Sequence, residues 1–377
     1  MPWKEMNAMS IRKEFVILAL QTGSNIRGLC RQYGISSRTA YKWIARYQAE
    51  GEAGIEERSR RPQHSPRKTD AAMEQMVLDK RAETSWGGRK IARVLSNEGY
   101  SDVPHPNTIT DILRRAGKIT PEARERHRPW QRFERAVPNE LWQMDYKGHF
   151  PMLIGRCHPF TVLDDHSRFC VGLYASANET ADSTQGYLTH IFRRYGLPQA
   201  ILCDNGNTWG TGFPDFSLTS LTVWLIRLGI APHHGRPAHP QTQGKEERFH
   251  RTLKAEVLQG RSFTDLEDCQ CHFDPFRDRY NLVRPHEALQ LDTPAQHYQP
   301  SQRPFLEVLP PIEYDDPKWV RIVQGGGRIW YQGRHYRVGK ALLGLPVSLR
   351  PTSVDGHFEV FFCNTKVREF DLHEQKP

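Results

Sequence analysis

"LWQMDYKGHF", Leu141 to Phe150, alternates Trp142, Met144 and Tyr146 with Gln143, Asp145 and Lys147. A period of two marks a β-strand with one face buried, and an acid in the middle of such a strand is costly unless something neutralises it. The chain downstream extends the pattern. "HPFTVLDDHSRFCVGLYAS", 158–176, reads as two antiparallel strands turning near Asp164–Ser167, and "ADSTQGYLTHIFRRYG", 181–196, as a helix. "AILCDNG", 200–206, is a short buried strand ending in Asp204, followed by a helix over 216–228 and a strand in "IAPHHG", 230–235. Antiparallel strands followed by alternating helices and strands predict a mixed sheet flanked by helices, an α/β core.

Asp145 and Asp204 both sit on such strands. Projecting together from neighbouring strands, they would need a counter-charge, and oxygen ligands alone suit magnesium or manganese better than zinc. Taken singly, each reads more readily as a turn cap or a surface ion pair. A third acid comes from "GRPAHPQTQGKEERFHRTLKAEV", Gly235 to Val257. On a helix starting near Gly244, with Phe249 at 0° and about 100° per residue, Leu253 and Val257 centre an apolar arc near about 40°. Glu246 falls inside that arc at about 60°, whereas Glu247 (about 160°), Lys254 (about 140°) and Arg251 (about 200°) share another face. Glu247 is thus displayed beside two cations and Glu246 suits first-turn dipole compensation; Glu246 stays open as the alternative third acid.

Upstream the chain is basic. Residues 1–135 hold 26 Lys+Arg against 16 Asp+Glu, so the whole formal charge of +9 lies in this front section. That asymmetry favours a grip on nucleic acid. "NIRGLCRQYGISSRTAYKWIARYQAEG", 25–51, reads as two helices around a tight turn at Gly34, with Ser36 as N-cap. Ala40, Ile44 and Tyr47 would face inward, Trp43 beside them, and Arg38, Lys42 and Arg46 outward, as a helix-turn-helix presents its recognition helix to the major groove. A second pair follows, "GGRKIARVLSNEGY" (87–100) and "PHPNTITDILRRAGK" (104–118), with Arg114 and Arg115 in its last turn. The expected organisation is a helix-turn-helix domain over 1–56, a basic linker over 57–70 and a second helix-turn-helix-like domain over 71–120. A linker over 121–140, the α/β core over 141–300 and a β-rich domain over 301–377 complete it. In the last, short runs divided by Gly-Gly-Gly, Gln-Gly and Asp-Gly turns predict a small antiparallel barrel.

Other chemistries are weakly supported. Cys269, Cys271 and His272 lack the second ligand pair a zinc site needs. Ser167 and His166 are sequence neighbours, which point opposite ways on a strand, so a hydrolase triad is disfavoured. Seven scattered cysteines, no signal-peptide pattern and no long apolar run imply a reduced, cytoplasmic protein with no membrane partner.

"WQMDY", "CDNGNTW" and "RPAHPQTQGKEERFHRTLK" together resemble the signature blocks of DDE transposases and retroviral integrases, above all bacterial insertion-sequence transposases with an integrase-type core. "YNLVRPHEALQLDTPAQHY", 280–298, resembles the segment that follows the core in that group. The resemblance covers about 135–300, and the helix-turn-helix units more loosely. It implies a ribonuclease-H-like fold with Asp145, Asp204 and Glu247 as catalytic acids holding two Mg2+ (or Mn2+) ions. It further implies Lys254 and Arg251 on the DNA end, double-stranded DNA as substrate, a homo-oligomer joining two ends, and a place on the bacterial nucleoid. The 42 residues between Asp204 and Glu247 exceed the retroviral interval, which points to an inserted loop in "TWGTGFPDFS", 208–217. The competing expectation is a DNA-binding regulator without catalysis.

Overall fold

The computed structural model describes residues 8–58, 69–119, 134–204, 208–210, 218–234 and 244–373. Most of the predicted basic linker, the 121–140 linker, the inserted loop and the 235–243 loop lies outside the described residues. The chain divides into two compact units, Met1–Lys68 and Thr69–Pro377.

In the first unit, α1 (Ala8–Ala19), α2 (Ile26–Gln32) and α3 (Ser37–Glu50) pack Phe15, Val16, Cys30, Ala40, Trp43 and Ile44 into one core. Asn25 and Ser36 cap α2 and α3 by accepting the Gly28 and Thr39 amides. Both bonds satisfy donors that the first helical turn leaves without partners. After α3 the chain folds back so closely that a Cβ at Gly54 would lie 2.3 Å from the Arg46 carbonyl. Only glycine fits there.

The second unit opens with α4 (Ala71–Thr84), α5 (Gly88–Asn97) and α6 (Pro106–Arg115) around Val77, Ile91, Leu95, Ile109 and Leu113. These helices are fastened to the rest of the unit. Glu256, nearly buried, accepts from Trp86 Nε1 at 3.2 Å while pairing with Arg284 and Arg279, and Arg93 meets Asp292 at 2.6 Å.

The central sheet contains β1 (Leu141–Tyr146), β2 (Phe150–Pro151), β3 (Arg156–Asp164), β4 (Cys170–Ser176), β5 (Ala200–Cys203) and β6 (Ala231–His234). Its order is β2-β3-β1-β5-β6, with β4 also on β3. β3 runs antiparallel to β1 and β4, and β5 lies parallel to both β1 and β6, so the sheet is mixed as expected. Its two faces carry separate cores. On one, α7 (Ala181–Tyr195) and α8 (Ser220–Arg227) cover Trp142, Met144, Phe160, Val162 and Ile201. On the other, α9 (Gly244–Leu253) and α10 (Leu266–Leu282) lay Phe249, Leu253, Phe273 and Phe276 over Leu163, Cys170 and Leu173. Asn281 fixes α10 to the sheet by exchanging two hydrogen bonds with the Cys170 backbone, 2.8 and 2.9 Å.

The C-terminal part is β-rich but is not the closed barrel the turn pattern suggested. β7 (Val320–Ile322), β10 (Pro346–Pro351), β11 (His357–Phe362) and β12 (Thr365–Asp371) form an open sheet ordered β12-β11-β10-β7, and β8 (Arg328–Tyr331) pairs with β9 (Arg334–Arg337) as a separate ribbon. The physical reason is cover supplied from outside. Val223 and Ile226 of α8 join Val347, Leu349, Val360 and Phe362 in one cluster. Helix α8 shields the apolar face that a barrel would hide by closing on itself. Among the described residues no helix is long and apolar enough to cross a membrane.

Candidate active site

Strands β1 and β5 bring two acids level. Their parallel register pairs Leu141 with Ala200, Trp142 with Ile201 and Gln143 with Leu202. Continuing it by two residues sets Asp145 opposite Asp204, at the carboxyl ends of both strands. In open α/β sheets ligands gather at this edge. Burial first, then the charge of Asp204, pushes the Asp145 carboxyl up to about 7. Asp204, more exposed, is raised by burial and then by Glu179, with His234 opposing. Glu179 was not singled out in the sequence. It precedes the α7 N-cap Thr180, pairs with His158 at 2.8 Å and adds negative potential to both aspartates. Its only sequence signal was an acid just before a helix start.

The α9 glutamates separate as the helical wheel predicts. Glu246 is fully buried, its side chain 0% exposed, and Glu247 is 69% exposed. Glu246 Oε2 accepts from Thr161 Oγ1 at 3.0 Å, and Thr161 lies directly across the β1–β3 ladder from Asp145. His250 completes the group, with Nε2 2.9 Å from the Thr161 hydroxyl and Nδ1 3.8 Å from Asp145 Oδ2. Burial, then Asp145, holds the Glu246 carboxyl well above the usual range, and burial lowers His250 to about 4. Both are therefore held towards their neutral forms. Glu247 faces solvent beside Arg251, 4.0 Å away. Among the described residues no three His, Cys, Asp or Glu side chains are gathered closely enough to hold a metal. Asp145 and Asp204 form a pair, which helix α9 flanks.

Cations border this edge. Lys254 is exposed where α9 passes into a π-helical turn, Lys254–Leu258, a distortion often found at functional sites. Its charge, added to burial, lowers Lys147 below the ordinary lysine value. In the first unit Arg38 and Lys42 are exposed on α3, with Lys42 and Arg46 lying 5.0 and 5.1 Å from the Trp43 ring centre. Arg114 and Arg115 are exposed but paired, with Asp111 and with Glu74 at 3.0 Å respectively.

The hairpin acids have a different task. Asp164 and Asp165 do turn the chain between β3 and β4, yet both are buried. Asp164 accepts the Ser167 amide and hydroxyl at 2.8 and 2.6 Å and the Asn139 amide at 2.7 Å. Asp165 takes the Arg135 amide, the Gln143 side chain and Lys245. Lys245 thereby anchors the start of α9, next to both glutamates. Ser167 is tied to Asp164 and His166 to the Arg135 carbonyl, so no nucleophile–base pair exists there. Cys269 is buried against Met152 while Cys271 is exposed, which separates the weak zinc candidate. His234 approaches the Asp204 carbonyl at 3.3 Å; His239 lies outside the described residues.

Two models described as integrase core domain match residues 135–240 and 228–294. A model of the C-terminal domain of IS481 family transposases matches 318–377, a helix-turn-helix model matches 12–63 and a homeodomain-like model matches 39–113. An uncharacterized 39.2 kDa protein of insertion element IS476 from Xanthomonas euvesicatoria is 26% identical over 161 residues, 43% of this chain and 44% of that one. An uncharacterized 31.7 kDa protein of insertion element IS407 from Burkholderia multivorans is 24% identical over 63% of this chain and 82% of its own length. A Gag-Pro-Pol polyprotein of sheep pulmonary adenomatosis virus is 30% identical over 34% of this chain, which spans only 7% of the polyprotein. Among solved structures, the HTLV-2 integrase catalytic core in complex with magnesium aligns at TM-score 0.32 and 15% identity over 43% of this chain and 97% of its own. A simian T-cell lymphotropic virus intasome with a PP2A regulatory subunit aligns at TM-score 0.40 and 16% identity, covering 78% and 96%.

Proposed function

Because this chain belongs to the insertion-sequence transposases with a retroviral-integrase-like core, we propose that it cuts DNA at element ends and joins the freed 3′ ends to target DNA. The observation that carries this reading is the pairing of Asp145 with Asp204 at the carboxyl edge of β1 and β5, where the charge of Asp204 adds to burial in disfavouring that of Asp145. The two carboxylates, with Glu179 adding negative potential to both, offer a pair of oxygen donors. That donor set fits a hard divalent cation. Asp145 and Asp204 would hold Mg2+ or Mn2+, with Glu247 of the flanking helix α9 as the third ligand; two such ions, when bound, would supply an activated water and neutralise charge at the scissile phosphate.

The chain's own side chains then position the DNA. Lys254 and Arg251 meet backbone phosphates on the exposed face of α9, and Arg38, Lys42 and Arg46 of α3 enter a major groove. Arg114 and Arg115 add phosphate contacts on exchanging their internal acids for DNA. Joining two ends calls for at least two copies of the chain on the DNA. Glu247 is taken as the third acid because it is open to solvent, where a ligand can exchange. A second reading has one specific observation in its favour: the charge of Asp145 adds to burial in raising the Glu246 carboxyl.

The test is nicking and strand transfer of linear duplex DNA, with magnesium and with EDTA. Asp145→Asn and Asp204→Asn should each abolish chemistry and leave DNA binding intact. Glu247→Gln should do the same and Glu246→Gln should retain activity; the reverse result would transfer the role to Glu246. Binding without any metal-dependent cutting would make the protein a DNA-binding regulator.

A further inference from the structure

One buried carboxylate joins the strand of Asp145 to the helix of Glu247. Asp165, in the turn between β3 and β4, accepts from Gln143 Nε2 on Oδ1 at 2.6 Å and from the Arg135 amide on Oδ2 at 2.8 Å. Lys245 Nζ donates to the same Oδ1 and to the Asp165 carbonyl, the latter at 3.0 Å. The Asp165 amide in turn donates to the Leu141 carbonyl at 2.9 Å. Leu141 and Gln143 belong to β1, and Lys245 is the second residue of α9. Gln143 lies two residues before Asp145, so both side chains project from one face of β1, about 6.5 Å apart along the strand. Lys245 lies two residues before Glu247, a rise of about 3 Å on a helix, so a displacement of Lys245 carries Glu247 with it. Gln143 is 1% exposed and the Lys245 side chain 17%, which leaves water little room to replace either bond. The hairpin itself needs none of this, because Asp164 closes it by accepting the Ser167 amide and hydroxyl. Asp165 commits its oxygens instead to residues 22, 30 and 80 positions away along the chain.

We propose that Asp165 is a positioning residue for the metal site: through Gln143 and Lys245 it sets where the strand of Asp145 and the helix of Glu247 stand relative to each other. The inference rests on the metal-dependent reading above and adds a group that touches neither the ion nor the DNA. Acids supplied by separate elements bind an ion only as tightly as those elements are held in register, and groups behind the ligands are what hold them. The chemistry at 165 calls for a carboxylate. Asparagine keeps one oxygen for Gln143 and Lys245, but its amino group then meets the Arg135 amide, donor against donor, and the charge that holds Lys245 is gone.

The experiment measures Mn2+ binding to the full-length, DNA-free protein, from the paramagnetic resonance signal of the unbound ion, and nicking of linear duplex DNA across a Mn2+ series. Asp165→Asn and Lys245→Gln should each weaken Mn2+ binding by about 10–100-fold, the loss seen when a partner behind a metal ligand is removed. Nicking by these variants should need correspondingly more Mn2+ and recover at saturation, whereas Asp145→Asn recovers at no concentration. Lys245→Arg keeps a cation for Asp165 and should lose less than Lys245→Gln. Asn281→Ala serves as the stability control. It loosens α10 from the Cys170 backbone without touching this network, so it should melt lower with Mn2+ binding unchanged. If Asp165→Asn does not fold, Lys245→Gln, at the more open side of the network, carries the test. Variants that melt lower yet bind Mn2+ as the wild type does would reduce Asp165 to a stabiliser of the fold and overturn the proposal. A wild type that binds Mn2+ tightly and never nicks DNA would remove the cutting activity alone and leave the positioning role in place. One that binds no Mn2+ would remove both.

Discussion

Asp145→Asn should make the metal-free protein more stable at pH 8 and change it little at pH 4. Burial and then Asp204 disfavour the charge of native Asp145 and push its carboxyl up from an ordinary value of 3.8 to about 7. Above pH 4 the unfolded chain has released this proton while the folded chain still holds it. The native state therefore binds more protons, and stability falls as pH rises through this window. A shift of about three units corresponds to an upper limit of about 4 kcal/mol at 1.36 kcal/mol per unit, reached only above pH 7. Asparagine carries no charge, so the variant escapes that loss. For a core of 150–250 residues each kcal/mol moves the melting temperature by about 2–4 °C, and half of the limit is readily seen. Thermal unfolding in EDTA, followed by tryptophan fluorescence at pH 4, 6 and 8, measures the difference. Magnesium at pH 8 should raise the melting temperature of the wild type and leave the variant nearly unmoved. An Asn variant no more stable than wild type at pH 8 would refute the reasoning, since Asp145 would then carry no electrostatic burden.

Three further outcomes are expected. Arg38→Ala with Lys42→Ala should weaken DNA binding and lower the salt slope by about 0.9 for every phosphate no longer neutralised, measured by fluorescence anisotropy across a salt series. Asn281→Ala removes both bonds to the Cys170 backbone and leaves buried groups unsatisfied, so urea unfolding should show a loss of about 2–4 kcal/mol. Glu256→Gln strands Arg284 and Arg279 in a nearly buried site. It should cost about 3–5 kcal/mol in the same assay, and proteolysis should cut more readily between the α4–α6 helices and the core.

The mixed sheet was legible because β1 keeps a strict period of two through Tyr146, and β5 is a short run of apolar residues closed by an acid. The unequal burial of Glu246 and Glu247 was legible too, since a wheel anchored on Phe249 and Leu253 needs only helix geometry. What escaped depended on remote partners. Asp164 and Asp165 look like ordinary turn acids until Asn139, Arg135 and Lys245 arrive from elsewhere in the chain to surround them. Glu179 has no local mark beyond a nearby helix cap; the fold alone aims its field at Asp145 and Asp204. Helix α4 was missed because Met73, Met76 and Val77 give it only a faint apolar stripe. The C-terminal strands were expected to close because no local pattern reveals that α8, about a hundred residues earlier, lies across their open face.

The junction at Glu256 has a consequence for how such a machine would measure distance. Trp86 begins the stretch leading into α5, and its indole is bonded to a carboxylate that two arginines of the core also hold. Helices α4–α6 therefore do not wander on a tether; they ride on the same body as the acids. If those helices contact DNA, the spacing between the bases they touch and the bond that is broken becomes a property of the protein, as a gauge block sets the setting of a tool. Loosening that joint would blur where cuts fall before it changed how fast they are made.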